Sequence, residues 1–196
     1  MASRIIVLDV ETTGLPQTRG WGSYYPYFDT KRYKNARVLQ VCILVYDTAG
    51  TLLRKLDQYI CPFDMAEGIP NTHIHGIEMR DIEKGVSMNV VAALLREELP
   101  QAKHIVAHNA RFDIHVLCSE LFRRGYRHTA KLLSVAPAYC TMHHGHAFLA
   151  GKSPTLKELY SHFFPNAREK EGWHNAYFDS LCTAKCYFKM ESGPRV

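Results

Sequence analysis

The chain of 196 residues has the length of one domain, and its 46% hydrophobic and 22% charged residues are typical of a globular protein. These values exclude disordered, fibrous and coiled-coil proteins. No stretch reaches the roughly 18 uninterrupted apolar residues that a membrane-spanning helix needs, and the first residues lack the apolar run of a signal peptide. We therefore expect an intracellular protein, in the cytoplasm or the nucleus, that does not bind a membrane. The net charge of +5 is compatible with a polyanionic partner.

Strand and helix patterns follow one another along the chain. Short apolar or β-branched runs predict strands over 4–9, 37–46, 52–61 and 104–107, with a turn at 47–50 joining the second and third strands as a hairpin. Helical patterns cover 87–99, 110–124 and 175–190, and a further helix begins at Ser153-Pro154, with proline in its first turn. This order predicts a mixed α/β fold with a central sheet flanked by helices.

The segment 17–36 has neither periodicity and is long for a connection, which is typical of a functional loop. We predict a single domain over residues 1–190 that contains this aromatic and basic insertion, followed by a frayed tail over 191–196. The aromatic residues of the insertion can stack on the bases of a single strand, or they can pack onto the body and only order the loop. A second charged loop, residues 168–173, is either mobile or an ordinary surface turn.

Six cysteines lie mostly within apolar patterns, where reduced cysteine acts as a small hydrophobic residue. Cys182 and Cys186 are four apart on a predicted helix, which allows a zinc site, but no second pair has matching spacing, so packing is favoured. The histidine-rich run at 143–146 is interpreted as a polar loop.

Four acidic residues occupy strand ends and helix starts. Asp9 and Glu11 are two apart at the end of the first strand and so point to one face. Asp113 and Asp179 each fall in the first turn of a helix, within the related hexapeptides H-N-A-R-F-D (108–113) and H-N-A-Y-F-D (174–179). Each acid alone is compatible with a helix cap. Together, four converging carboxylates would repel one another, and oxygen ligands of this kind suit Mg²⁺ or Mn²⁺.

In this order, D-V-E-T-T-G-L-P and the two hexapeptides resemble the three motifs of the DEDDh (DnaQ-like) 3′–5′ exonuclease superfamily. The resemblance extends from Ile5 to Tyr187, and I-H-G-I at 74–77 resembles a further element of that family. It implies a ribonuclease H-like fold and two divalent metal ions, Mg²⁺ or Mn²⁺. It also implies that the metals are bound by all four acids, Asp9, Glu11, Asp113 and Asp179.

The resemblance further assigns the general base to His174, five residues before Asp179, although a histidine that only orders its loop is the alternative. It places the backbone of Thr12 and Thr13 at the 3′-hydroxyl of the substrate. It places Leu15 and Ile77 beside the last base, with core packing as the alternative for both.

His108 and Asn109 also belong to the expected substrate-binding set. For His108 we expect hydrogen bonds that shape the turn after its strand.

The implied activity is the removal of nucleoside 5′-monophosphates from the 3′ end of a single-stranded nucleic acid, with DNA favoured over RNA. RNA trimming, as by an oligoribonuclease, is one alternative. A different class is a proofreading accessory subunit whose main role is to bind a polymerase, and a homodimer is a further possibility. No residue can be assigned from the sequence to reading the 2′-hydroxyl.

Overall fold

The central element is a five-stranded sheet, seen in a computed structural model that describes residues 3–20, 22–61, 68–167 and 172–193. Its strands are β1 (Arg4–Thr12), β2 (Val38–Asp47), β3 (Leu52–Tyr59), β4 (Ala102–Ala107) and β5 (Ala138–Cys140), and their order across the sheet is β3-β2-β1-β4-β5. β1 is antiparallel to β2 and parallel to β4, while β4 is parallel to β5. The sheet is therefore mixed, as predicted.

Helices cover both faces of this sheet. They are α1 (Thr72–His75), α2 (Met79–Glu83), α3 (Met88–Glu98), α4 (Ala110–Arg123), α5 (Arg127–Val135), α6 (Thr141–His144), α7 (Leu156–Phe163) and α8 (Ala176–Ser192), with short 3-10 turns at Thr30–Tyr33, Leu99–Gln101 and Gly145–Ala147. Within the described ranges no helix is both long enough and apolar enough to cross a bilayer.

Alternation along β1 divides the core into two layers. Ile6, Leu8 and Val10 pack in one apolar cluster with side chains of α3, α4 and α5. Ile5 and Val7 point the other way and pack in a second cluster with α7 and α8. This period of two decides which helix each later residue of β1 faces. Since Asp9 and Glu11 continue the Ile5 and Val7 series, they face α8.

The predicted strands and main helices are confirmed, but several boundaries differ. β1 continues three residues beyond the predicted Asp9, and the last helix continues to Ser192, beyond the predicted limit of 190. Ser87 caps α3 as expected, its hydroxyl accepting the N–H of Asn89. The tail residues 194–196 lie outside the described residues.

The predicted start of the helix at Ser153-Pro154 is wrong. The N-cap is Thr155, whose Oγ1 accepts the N–H of Glu158 while the Glu158 carboxylate accepts the N–H of Thr155. This reciprocal capping box satisfies two N–H groups that a helix starting at Pro154 would leave unpaired. Proline therefore lies just before the helix, and the short elements α5 and β5 were not predicted at all.

The aromatic residues of the 17–36 insertion pack onto the body of the protein. Tyr33 is fully buried, and its hydroxyl donates to the carbonyl of Tyr25. Tyr25 and Tyr27 pack against the same core cluster as α4. Of the two interpretations of these aromatic residues, the structure favours packing, with Phe28, 58% exposed, as an exception. Trp21 and residues 168–171 lie outside the described part of the chain.

Packing is also the role of the paired cysteines on α8. Cys182 and Cys186 are buried in the second core cluster, and all six cysteines are free thiols. Burial raises the pKa of the Cys186 thiol to about 12. Such a thiol remains protonated and is a poor metal ligand. Among the described residues, the only group of three or more side chains placed to hold a metal is the acidic cluster described next.

Candidate active site

The site lies at the end of β1, where its carboxylates leave the core. Asp9 and Glu11 share the face of β1 that packs against α8, and Asp179 is the fourth residue of α8. One oxygen from each of these three side chains lies within 4.8 Å of the others. The two-residue spacing thus brings both β1 acids to the helix that carries the third.

Asp113 reaches the same place from the opposite face of the sheet. The pairing of β1 with β4 ends at Val7 and Val106, while β1 continues to Thr12. The backbone N–H of Val10 is therefore beyond the ladder, and it donates to Oδ1 of Asp113 at 3.3 Å. Asp113 is only 2% exposed and is the fourth residue of α4. Because β1 is longer than its pairing with β4, the N–H of Val10 is free to bind the carboxylate that α4 carries.

His174 is attached to the acids through its backbone. Its N–H donates to Oδ2 of Asp179 at 3.2 Å, and its φ of 65° is in the left-handed region. Its imidazole is exposed and makes no hydrogen bond within the described residues. Asn175 then caps α8, with Oδ1 accepting the N–H groups of Tyr177 and Phe178. The turn at His174 therefore leaves its ring exposed to solvent, while its backbone is bound to Asp179.

The four carboxylates perturb one another strongly. Burial, followed by the charges of Asp113, Asp179 and Glu11, raises the pKa of Asp9 well above its usual value. Burial and Asp179 raise the pKa of Glu11 to about 7.

The two helix-borne aspartates are shifted in the same direction. Burial raises the pKa of Asp179 to about 6, although the N–H and the charge of His174 oppose the shift. Burial also raises the pKa of Asp113, against hydrogen bonds from its own N–H and that of Val10. The site holds more negative charge than its surroundings compensate.

This arrangement fits divalent cations. Oδ1 of Asp179 is buried and has no hydrogen-bond partner among the described residues, which is costly unless another group binds it. Three carboxylates with converging oxygens are the donor set that Mg²⁺ and Mn²⁺ prefer. A cation bound there would offset the cost of burying these carboxylates, which raises all four pKa values, and the repulsion that adds to the shift at Asp9, Glu11 and Asp113.

The residues after Glu11 form a tightly bonded turn. Thr12 donates its hydroxyl to the Gly14 carbonyl at 2.8 Å, and Thr13 donates its hydroxyl to the Asn35 carbonyl at 2.9 Å. Asn71 donates from Nδ2 to the Thr13 carbonyl at 2.8 Å. Both threonine hydroxyls are thus used within the protein. Leu15 follows with 76% of its surface exposed, so core packing does not explain it.

Of the two alternatives for Ile77, the structure favours core packing. Its side chain is 2% exposed and packs with Leu39 and Ile82 in a small core cluster. The exposed isoleucine of this element is Ile74, on α1. The sequence pattern did not separate the two because both lie in an irregular segment with very short helices.

His108 has a structural position, and Asn109 makes the turn after β4. Nδ1 of His108 lies 3.0 Å from the Thr141 hydroxyl, and Nε2 lies 3.0 Å from the Pro154 carbonyl. Burial lowers the pKa of His108 to about 4. Asn109 has a φ of 72° and precedes α4 without a side-chain cap. The expected hydrogen bonds of His108 are present, and both ring nitrogens already have protein partners that substrate contact would have to replace.

Sequence reasoning missed one residue that positions the site. Gln40, buried on β2 opposite Glu11, accepts the Ala176 N–H with Oε1 at 3.3 Å and donates from Nε2 to Asp57 at 2.7 Å. It therefore fixes the first turn of α8. Its only sequence signal is a polar residue within a continuous apolar strand.

Comparison with known proteins agrees with this geometry. The sequence profile of the exonuclease (RNase_T) family matches residues 6–187. No curated protein sequence matches the chain.

Solved structures share the fold at low identity. Escherichia coli exonuclease I in a zinc-bound complex with single-stranded DNA gives a TM-score of 0.71 at 19% identity over 98% of this chain and 41% of that one. Exonuclease X in complex with 5′-overhanging duplex DNA gives 0.59 at 18% identity, over 95% and 90% of the two chains. Schizosaccharomyces pombe Pop2p with Mg²⁺ and Mn²⁺ gives 0.68 at 16% identity, over 97% and 83%.

The chain thus spans about two fifths of the length of exonuclease I, with 41% covered. At these identities the solved structures show a shared ribonuclease H-like fold. The family match covers nearly the whole chain, and the acids of all three motifs lie close together at the end of β1. The chain belongs to the exonuclease (RNase_T) family.

Proposed function

We propose that the protein removes nucleoside 5′-monophosphates from the 3′ end of single-stranded nucleic acid, with DNA preferred over RNA. The observation that carries the proposal is the meeting of three carboxylates with an unsatisfied buried oxygen of Asp179, beside an exposed histidine. Support for DNA comes from the DNA complexes of exonucleases I and X, which have the same fold.

In the proposed mechanism, Asp9, Glu11, Asp113 and Asp179 hold two divalent ions, Mg²⁺ or Mn²⁺. Bound there, such ions activate a water and compensate the charge on the phosphate oxygens. The exposed imidazole of His174 accepts the proton of the attacking water. Its N–H bond to Asp179 keeps the base segment next to the acids. The turn at Thr12 and Thr13 presents its backbone to the terminal 3′-hydroxyl, and the exposed Leu15 supports the last base.

A time course on 5′-labelled single-stranded DNA and RNA of matched sequence tests this function. We expect a ladder that shortens from the 3′ end with Mg²⁺ or Mn²⁺ and stops with EDTA. His174→Ala and Asp9→Asn should remove the activity, while His128→Ala, which changes an exposed histidine on α5, should retain it.

Each other outcome of this time course is informative. Faster cleavage of RNA would replace the DNA preference with RNA trimming. Full activity in His174→Ala would exclude this histidine as the base. Absence of cleavage of either polymer would contradict the proposed activity and favour the accessory role with a polymerase partner, which stays a prediction, as do a homodimer and an intracellular location.

A further inference from the structure

Within the described residues, the 17–36 insertion forms an ordered platform along α4, from the first turns of that helix to its end. Its start and end are joined where the N–H of Gln17 donates to the Arg32 carbonyl at 2.9 Å. From α4, Arg123 donates to the carbonyls of Thr30 and Tyr33 at 3.1 and 3.3 Å. The fully buried side chain of Tyr33 anchors the segment in the core. The inward aromatic residues therefore leave the outward side chains in fixed positions.

Those outward side chains are mainly cationic. The segment contains four basic residues and one acid, Asp29, and all four basic residues are exposed: Arg19, Lys31, Arg32 and Lys34. The guanidinium carbons of Arg19 and Arg32 lie 4.8 and 4.5 Å from the centroid of the Tyr25 ring. Arg32 also pairs with Asp29, whereas Arg19 has no acidic partner among the described residues. Two like charges held at one ring favour a bound anion.

A further cation connects this platform to the acids. Arg111 lies in the first turn of α4, two residues before Asp113, and its side chain is exposed. It forms no hydrogen bond or ion pair within the described ranges. A side chain at Gly22 would begin 3.9 Å from Nη1 of Arg111, so the insertion reaches this guanidinium.

Tyr24 confirms how close the insertion comes to the acids. Its ring stacks on His115 of α4 with centroids 5.0 Å apart and planes at 25°. Burial raises the pKa of Tyr24, and the charge of Asp113 adds to the shift while Arg111 opposes it. The insertion and the first turns of α4 thus form one continuous surface at the Asp113 side of the site.

We propose that this surface, defined by Arg19, Phe28, Lys31, Arg32, Lys34 and Arg111, holds the single strand that leads into the site, with Arg111 contacting a phosphate next to the scissile bond. The inference rests on the proposed function and names how the substrate is held. A polyanion approaching four carboxylates is repelled, and the cations of this surface offset that repulsion. The exposed Phe28 offers a ring on which an unpaired base can stack, which suits a single strand.

Substrate length provides the test, because a dinucleotide is too short to occupy the surface. We would measure kcat/KM on a thymidine dinucleotide and on an oligothymidylate of about 20 nucleotides, over a range of NaCl concentrations. The variants are Arg111→Ala, the exposed double change Arg19→Ala with Lys34→Ala, and Lys34→Glu. The matched control is Lys103→Ala, an exposed lysine on β4 at the opposite end of the sheet from Asp9.

We expect each surface variant to lower the ratio of kcat/KM for the long substrate to that for the dinucleotide by about 5-fold to 30-fold, while Lys103→Ala leaves it unchanged. The slope of log affinity against log salt should become less negative by about 0.7 for each lost phosphate contact. Lys34→Glu changes a fully exposed side chain, so it distinguishes lost binding from misfolding. Equal losses on both substrates, or no loss, would overturn the proposal.

Binding of the labelled long oligomer in EDTA, followed by fluorescence anisotropy, separates this inference from the proposed function. If the wild type cleaves nothing but the surface variants bind the oligomer about 5-fold or more weakly than Lys103→Ala, the strand surface stands and the exonuclease proposal fails. Active wild-type protein with unchanged binding in the variants would overturn the surface alone.

Discussion

The two hexapeptides 108–113 and 174–179 differ by one letter, yet their backbones differ at the first two residues. In the first, Asn109 has the left-handed conformation, with φ of 72°. In the second, the left-handed residue is His174, with φ of 65°, and Asn175 is extended and caps its helix. Both place an aspartate at the fourth position of a helix. The left-handed residue thus differs by one position between the two hexapeptides, yet the aspartate reaches the site in both.

This difference in the position of the left-handed residue gives the two histidines different surroundings. His108 precedes the left-handed residue and remains in line with β4, where Thr141 and Pro154 enclose its ring. His174 is itself the left-handed residue, and its ring is directed outward. A repeated motif can thus place an aspartate at the same helix position twice, while its two histidines occupy different environments.

The largest expected effect tests the shared part of the motifs. Asp113→Asn and Asp179→Asn should each lower kcat by about 1,000-fold or more, since loss of a metal ligand removes several kcal/mol of charge stabilisation. Both should also lose the rise in Tm that saturating Mg²⁺ produces in the wild type, expected at about 5–10 °C for a ligand at 100 times its Kd. Calorimetry with and without EDTA measures it. A variant that kept the full shift would not have lost a ligand.

The next effect separates the histidines by activity. His174→Ala should lower kcat by about 100-fold to 10,000-fold, because a general base is lost. Its free energy of unfolding should fall by at most about 1 kcal/mol, since the ring is exposed and only the left-handed backbone, with φ of 65°, is less favourable for alanine. Denaturation in urea beside single-turnover kinetics checks both values. A large loss of stability would mean that the ring has a structural partner.

His108→Ala should show the opposite behaviour. Removal of the ring leaves the Pro154 carbonyl unpaired and leaves the Thr141 hydroxyl with only the Ala107 carbonyl, 3.4 Å away, so we expect a loss of about 1–3 kcal/mol in the free energy of unfolding. Residual folded protein should retain most of its kcat. If kcat falls as far as in His174→Ala while stability is unchanged, the division of roles is wrong.

The buried imidazole of His108 also predicts a pH dependence. Its pKa is about 4 in the folded protein and near 6.5 when unfolded, so the unfolded state binds the additional proton between these values. Stability should therefore fall as pH decreases from about 6.5 to 4, by at most about 1.4 kcal/mol per pH unit from this group. The difference between wild type and His108→Gln isolates the contribution. A difference that is flat across this window would contradict it.

The smallest effects distinguish the two asparagines. Asn175→Ala should cost about 1 kcal/mol through the lost helix cap, whereas Asn175→Asp should retain the cap. Asn109→Gly should be nearly neutral, because glycine accepts the left-handed conformation, while Asn109→Ala should cost about 1 kcal/mol. Thermal unfolding of the four variants is sufficient. The same ranking at both positions would mean that the two turns are alike.

Much of this site could be predicted because its signals are local. The spacing of Asp9 and Glu11 sets their common face, and a strand end followed by a helix start places Asp113. The role of Gln40 could not be predicted, since its partners, Ala176 and Asp57, are distant in sequence and only the sheet brings them together. The sequence could not decide between the two alternatives for Ile77 for a related reason, because its burial depends on packing with Leu39 across the fold.

The capping error has a different cause. Proline in a first turn is a good general signal, but the box formed by Thr155 and Glu158 satisfies more N–H groups and sets the start of the helix two residues later, at Leu156. The three residues of β5 are too few for a clear period. The helix start depended on a competition between neighbouring capping signals, whereas Gln40 and Ile77 depended on contacts between residues far apart in the sequence.

The closed base of the 17–36 insertion has a further consequence for how such a chain can be altered. The N–H of Thr13 donates to the Arg37 carbonyl at 2.9 Å, and the N–H of Arg37 donates to the Thr13 hydroxyl at 2.9 Å. Since the two ends are already joined, a change in the length between them costs little in chain entropy, about 0.6 kcal/mol for each doubling. The outward part of the insertion can therefore change in length while the acids remain in register, whereas the buried Tyr33 has to be retained.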